Sequence, residues 1–484
     1  MQTIDTVTTP AKDVPLCVDL DGTLVKSDLL IDACLVTVRR RPELLLRMPF
    51  WLLRGKAGFK AALAKEIQLS PSGLPYNEEL LQYLRDEHAR GRKLHLATGA
   101  NDQIASGVAR HLGIFESVIC SDDRRNLTGY SKLHVLNERF GEGGFDYIGN
   151  SNQDLPILEN ANKAMLANAS WATSAKARLK NIAVEREFNH RKNTMVAILS
   201  AIRARQWPKN LLIFLPLFLS HEFGDRSKLI NSFLAFVAFS FVASAGYILN
   251  DMLDMEADRQ HPRKRKRPFA AGDLSPVAGL IVAAVLLCAA GVYSSTQPAK
   301  FAYMLCAYLV GTISYSFLLK KIAILDVLVL AGLYTIRIIC GSVVTSVPLS
   351  TWFESFSLFF FLSLAIVKRY EELQGLRERH ALPANDRGYR VDDIEQLRSF
   401  GTASAYAAVV IFVLYVSSPD VQRLYHHPQA LWAIVPVLVY WINRVWLLAH
   451  RGEMHEDPVV FALTDRVSIW IGAFSAIILI LGAR

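Results

Sequence analysis

Cysteine pairing is missing from this chain. Its six cysteines, Cys17, Cys34, Cys120, Cys288, Cys306 and Cys340, are scattered through 484 residues without Cys-x-x-Cys spacing. Neither a disulfide framework nor a thiolate zinc site is therefore expected. The opening stretch MQTIDTVTTPAKDVP holds no apolar core, so no cleavable signal peptide is expected there. Internal repeats, low-complexity tracts and nucleic-acid-binding motifs are also lacking. The net charge of +9 consequently points to anionic lipid headgroups and phosphorylated substrates rather than to nucleic acid.

What the chain has in quantity is apolar sequence, unevenly spread. Hydrophobic residues make up 52% and the mean hydropathy is +0.23, but the first 190 residues carry mixed charge and only short apolar runs. From about residue 210 onward, stretches near 20 residues long recur, the length that spans hydrocarbon. Nine are predicted, at about 210–221, 229–251, 275–295, 300–319, 323–345, 352–368, 400–418, 429–449 and 465–482. If they alternate, one side receives the N-terminal region and the loops 252–274, 320–322, 369–399 and 450–464. Those loops hold most of the loop Lys and Arg, among them Arg259, Lys320, Lys321, Arg377, Arg390 and Arg451. The positive-inside rule makes that side cytoplasmic and leaves the C-terminus, Arg484, on the outer side.

At the end of the second stretch stands NDMLDMEADRQHPRKRKR, Asn250 to Arg267. On a helix turning 100° per residue, Asn250, Asp251, Asp254 and Asp258 share about one quadrant. Three carboxylates on one face repel one another, and a hard cation such as Mg²⁺, readily shared with a phosphate, removes the conflict. Five basic residues follow, Arg263 to Arg267, suited to phosphate oxygens. The plainer alternative is a solvated, charge-balanced loop. Arg337 lies inside the fifth stretch, where an ionisable group usually faces a polar cavity.

NDxxDxxxD closing the second of nine spans resembles the signature of the UbiA superfamily of membrane prenyltransferases, and within it the decaprenyl-phosphate phosphoribosyltransferase branch. The resemblance covers about residues 200–484, through RQWPKN (205–210), the segment 243–272, IRIICGSVVTSVPLSTWF (336–353), KRYEEL (368–373) and EDPVVFALTDRV (456–467). The second acidic motif of aromatic prenyltransferases is not matched, since Tyr315 to Tyr334 offers only Asp326. The resemblance implies that a polyprenyl phosphate is joined to phosphoribosyl pyrophosphate. Asp251, Asp254 and Asp258, with Asn250, are then expected to hold Mg²⁺ on the leaving pyrophosphate. Lys264, Arg265 and Arg267 are expected on the diphosphate or ribose 5-phosphate, and Lys209, Lys368, Arg369 and Tyr370 on the lipid substrate.

Nearer the N-terminus, Leu16-Cys17-Val18 reads as a buried strand followed by Asp19-Leu20-Asp21-Gly22-Thr23. A second strand ends in Thr98, Lys132 sits in GYSKLHVL, and a third strand leads into Asn150-Ser151-Asn152-Gln153-Asp154. These pieces, in this order, resemble the haloacid dehalogenase superfamily over about residues 13–172. A doubly wound α/β domain is implied, with residues 29–75 as a helical cap that touches the membrane, a linker over 173–199, and a membrane transferase domain over 200–484. By that resemblance Asp19 is the nucleophile and Asp21 the general acid/base. Thr98 and Lys132 hold phosphoryl oxygens, and Asp19, Asp21, Asn150 and Asp154 place Mg²⁺. Asn150 departs from the family, which carries a carboxylate there.

The fusion suggests that the N-terminal phosphatase removes the 5-phosphate from the lipid made by the other half. The rival enzyme is an aromatic polyprenyltransferase using a prenyl diphosphate, with a degenerate or regulatory N-terminal domain. A transporter is disfavoured, because the polar groups cluster at one rim rather than at the bilayer midplane.

Overall fold

The structure is a computed structural model describing residues 14–122, 125–189, 193–378, 387–454 and 457–483. The leading residues 1–13, Glu456 of the closing motif and Arg484 lie outside the described residues. Two compact units are formed, one from Met1–Ala201 with Asp251–Leu280, the other from Ile202–Asn250 with Ile281–Arg484.

The first unit is built on six parallel strands: β1 (Leu16–Val18), β2 (Leu94–Asn101), β3 (Ser117–Ser121), β4 (Asp146–Gly149), β5 (Ala164–Ala167) and β6 (Val184–Phe188). Their order is β3-β2-β1-β4-β5-β6. Both faces are covered, so the strands are nearly all apolar and sort by alternation. Leu16, Val18, Leu96, Ile148 and Met165 enter one core, whereas Cys17, Ala97, Ile119, Tyr147 and Leu166 enter the other. The order reverses direction beside β1, with β2 on one side and β4 on the other. Loops after β1 and β4 therefore open on a crevice, the usual ligand position in such sheets.

Between β1 and β2 the predicted helical cap is present, as helices Leu29–Arg40, Met48–Leu52 and Gly55–Glu66. The predicted linker 173–199 needs correction. A helix, Trp171–Leu179, and β6 fill its first part, and β6 pairs with β5 as the last strand of the sheet. Alternation in Val184–Phe188 was too weak to read, because only Phe188 is fully buried there.

The second unit is helical. Seven helices among the described residues are long and apolar enough to cross a membrane: Arg226–Leu253, Pro276–Ser294, Leu325–Thr345, Thr351–Glu378, Val391–Val416, Pro428–His450 and Arg466–Ala483. Two of these, Arg226–Leu253 and Pro276–Ser294, run into the segment that folds with the first unit. The other two predicted spans take different forms. Ala299–Phe317 is a 19-residue helix whose hydropathy is diluted by Lys300, Tyr303, Tyr308 and Tyr315. Around 210–221 the chain instead forms a 3₁₀ segment, Ala204–Phe214, and a short helix, Leu215–Leu219. Pro208 and Pro216 deny this stretch backbone donors. It packs closely on Leu325–Thr345, where a Cβ on Gly341 would collide with the Ile213 carbonyl.

Candidate active sites

The crevice of the first unit is a cavity of about 590 Å³ lined by Asp19, Asp21, Lys60, Lys132, Asn150 and Asp154 among others. Asp19 follows β1 directly. Lys132 Nζ donates to Asp19 Oδ1 at 2.8 Å and reaches Asp154 Oδ1 at 3.4 Å. Tyr147 O–H donates to the same Asp154 oxygen at 2.9 Å, and the other oxygen accepts from Ser151 N and Ser151 Oγ. Thr23 Oγ1 donates to Asp19 Oδ2 at 3.3 Å. Burial, opposed by Lys132, pushes the Asp19 carboxyl up to about 6. Burial, reinforced by Asp28 and Asp19, pushes Asp21 up to about 7. Burial also favours the acid form of Asp154, but Lys132 and the Ser151 donors outweigh it and hold that group below its ordinary value.

Gly22 adopts φ +74°, and a Cβ there would collide with the Asn150 amide. The DxDGT glycine thus serves the chain reversal and the approach of Asn150 together. Thr98 is fully buried, its Oγ1 accepting from Ala100 N at 3.0 Å, and the cavity wall at that strand is Gly99. Asp19, Asp21 and the Asn150 amide face one cavity and offer oxygen donors, two of them carboxylates. That donor set fits Mg²⁺.

The acidic segment also folds with this unit, but not as one helix. Helix Arg226–Leu253 ends, Asp254 stands between the two helices without a side-chain capping bond, and Met255–Gln260 follows. The predicted single carboxylate face is thereby corrected. Asp251 and Asp258 converge on Arg267, whose Nη1 lies 3.2 Å from one and 2.6 Å from the other. Asp254 instead meets Arg39 at 3.1 Å, and Glu256 meets Arg40 at 2.8 Å. Burial pushes the Asp258 carboxyl up despite Arg267. Among the described residues no three His, Cys, Asp or Glu side chains converge as a ready metal cage. The Asp251–Asp258 pair nevertheless holds one cation, so its donors suit a positive charge. Lys264 and Arg265 lie exposed in the turn that leads to Arg267. Arg259 forms a buried ion pair with Asp32 at 2.8 Å, and Ser27 Oγ donates to Asp32 at 2.7 Å.

In the second unit the polar centre is Asp457. One of its oxygens accepts from both Lys209 and Lys368 at 2.9 Å, and the other from Tyr334 O–H at 3.2 Å. Burial alone would raise the Asp457 carboxyl, but the two ammonium groups hold it well below the usual range. Lys209 also lines an apolar cavity of about 420 Å³ with Phe353, Phe356, Phe360, Phe361 and Trp441. Arg337, inside the span Leu325–Thr345, is bound by polar side chains. It donates to Asn210 Oδ1 at 2.8 Å and Tyr308 O–H at 3.1 Å, and Asn210 in turn donates to Ser240. Arg369 is 2% exposed and bound to Asp326, Glu372 and Tyr315, while Tyr370 bonds His450. Successive residues on a helix diverge by 100°, so of the three only Lys368 joins Lys209. Asn250 sits in the last turns of Arg226–Leu253.

The UbiA prenyltransferase family model matches residues 211–471, which is more than half of the chain. The chain belongs to the UbiA prenyltransferase family. Residues 16–159 match the haloacid dehalogenase-like hydrolase model. The protein y4nM of Sinorhizobium fredii is 39% identical, over 96% of this chain and 90% of that one. Nodulation protein NoeC of Azorhizobium caulinodans is 35% identical, over 56% of this chain and 87% of its own. A decaprenyl-phosphate phosphoribosyltransferase of Mycolicibacterium smegmatis is 33% identical, over 59% of this chain and 94% of its own.

In this UbiA-family chain, sequence reasoning missed three things: Asp457 as a hub, Tyr147 as a partner of Asp154, and the bonds of Arg39 and Arg259. For Asp457 a signal was available, since it stands in the closing motif EDPVVFALTDRV. The others carried none, because each bond depends on how separate elements meet in the fold.

Proposed function

We propose that this UbiA-family chain is a Mg²⁺-dependent transferase that joins a polyprenyl phosphate to phosphoribosyl pyrophosphate, and that its N-terminal unit is a phosphatase removing the 5-phosphate from the product. The observation that carries the phosphoribosyl reading is the state of Asp326. It is the one acid in the stretch where an aromatic prenyltransferase has its second metal motif, and it is fully buried and bound by Arg369 and Tyr389. Similarity to decaprenyl-phosphate phosphoribosyltransferases supports the same branch.

In the transfer, a lipid phosphate oxygen bonds to the anomeric carbon as the carbon–oxygen bond to pyrophosphate breaks, and pyrophosphate leaves with the electron pair. Lys209 and Lys368 would hold the lipid phosphate, Asp251 and Asp258, the two carboxylates that meet at Arg267, would hold the ion, and Arg267 would turn to diphosphate oxygens. Bound Mg²⁺ supplies neutralisation of the leaving group. The apolar cavity beside Lys209 suits the prenyl chain. In the phosphatase, Asp19 attacks phosphorus while Asp21 gives a proton to the departing oxygen. Water then cleaves the aspartyl-phosphate with Asp21 as base. The basic loop bias favours a cytoplasmic face for both reactions.

Membranes holding the chain, given Mg²⁺, polyprenyl phosphate and radiolabelled phosphoribosyl pyrophosphate, should transfer label into the organic phase, and Asp251→Asn should not. In Asp19→Asn the labelled lipid should retain its 5-phosphate while synthesis continues. Absence of labelled lipid across several chain lengths would turn the assignment to a prenyl diphosphate donor and an aromatic acceptor.

A further inference from the structure

The tip of the cap is apolar on the outside. In Pro42–Lys56, Leu44, Met48 and Trp51 turn inward, the last two packing against the small core of Ala33, Phe59 and Leu63. Leu46, Phe50 and Leu53 are left 79%, 67% and 85% exposed, with Leu45 and Leu52 beside them. Five large apolar side chains within nine residues form the kind of patch that marks an interaction surface. Its surroundings are basic: six Arg or Lys against one acid between Arg39 and Lys56. Arg39, Arg40 and Arg41 have carboxylate partners, while Arg47, Arg54 and Lys56 stand exposed around the tip. An apolar tip ringed by cations complements an anionic bilayer surface, where apolar burial and headgroup attraction add. A bilayer is also at hand, since the segment Asp251–Leu280 of this unit is continuous with apolar spans at both ends.

The tip is also part of the phosphatase crevice. Leu52 and Lys56 line the cavity, followed by Phe59 and Lys60, and Lys60 bonds the Gly99 carbonyl beside the strand end. Apolar tip, two lysines and Asp19 thus form a graded path from hydrocarbon to nucleophile.

We propose that residues 42–56 are a bilayer-docking element that admits phosphate monoesters carried on membrane lipids to the Asp19 crevice. The lipid-borne substrate rests on the function proposed above; the docking does not.

The test uses the full chain in liposomes of phosphatidylcholine and phosphatidylglycerol. Photoreactive p-benzoylphenylalanine placed at position 50 or 53 should give lipid adducts on irradiation, and at exposed position 82 none. The variant Leu46→Ser/Phe50→Ser/Leu53→Ser should hydrolyse soluble ribose 5-phosphate within about twofold of wild type but liposome-embedded phosphoribosyl lipid about tenfold or more slower, since docking acts through effective concentration. No adduct at either position, or equal losses on the two substrates, would overturn the proposal. Adducts at position 50 or 53, together with a wild-type chain that leaves the lipid phosphate intact, would sustain the docking and overturn the substrate.

Discussion

Single buried side chains in this protein are held by opposite charge, as at Lys132 and Asp457. Lys132 stands between Asp19 and Asp154, so Lys132→Met leaves two buried carboxylates without a cation, a change that costs about 3–5 kcal/mol. Thermal unfolding of the purified chain should show that loss, and Lys132→Met/Asp19→Asn should regain part of it. Asp457 serves two lysines through one oxygen, and Asp457→Asn should cost about 1.5–3 kcal/mol as charged hydrogen bonds are lost. Because the folded carboxyl lies below its unfolded value, the folded state binds fewer protons there. Its stabilisation is therefore complete above about pH 4 and is lost as pH falls toward the folded pKa. The melting difference between wild type and Asp457→Asn should shrink as pH falls below about 4.

Elements explain which of these groups were legible in the sequence. Strand, loop and the acidic pair after β1 follow from a buried Leu-Cys-Val run and DxDGT, a local pattern, and the structure places Asp19 and Lys132 together. The acidic segment was legible in composition but not in shape. Its 100° arithmetic assumed one helix, whereas Asp254 begins a second one and arginines divide the carboxylates. Helix Thr351–Glu378 shows the same limit: KRYEEL marks a motif, yet Arg369 turns away to Asp326 while Lys368 reaches Asp457. Arg267→Met should therefore lower lipid labelling about 100-fold by freeing Asp251 and Asp258 to repel and by removing a phosphate donor. Arg369→Met should act through the fold instead, lowering the melting temperature about as a broken buried ion pair does, about 3–5 kcal/mol.

At the scale of the whole chain, residues 251–280 are stitched into the N-terminal unit, although helices long and apolar enough to cross a membrane run into them at both ends. Arg259→Met should leave Asp32 buried without its cation and loosen the cap from the acidic segment; limited proteolysis within 251–280 should then quicken in the intact chain. Synthesis order gives this stitching a further meaning. The six strands are complete at Phe188, yet Met255, Phe269, Leu274 and Pro276, which wall the crevice, come later. At about 5–20 residues per second, the ribosome delivers them several seconds afterwards, with the whole helix Arg226–Leu253 translated in between. A nascent chain halted before that helix would carry the complete sheet and Asp19 but an open-sided crevice, so the crevice gains its last wall only after helix Arg226–Leu253 has been made.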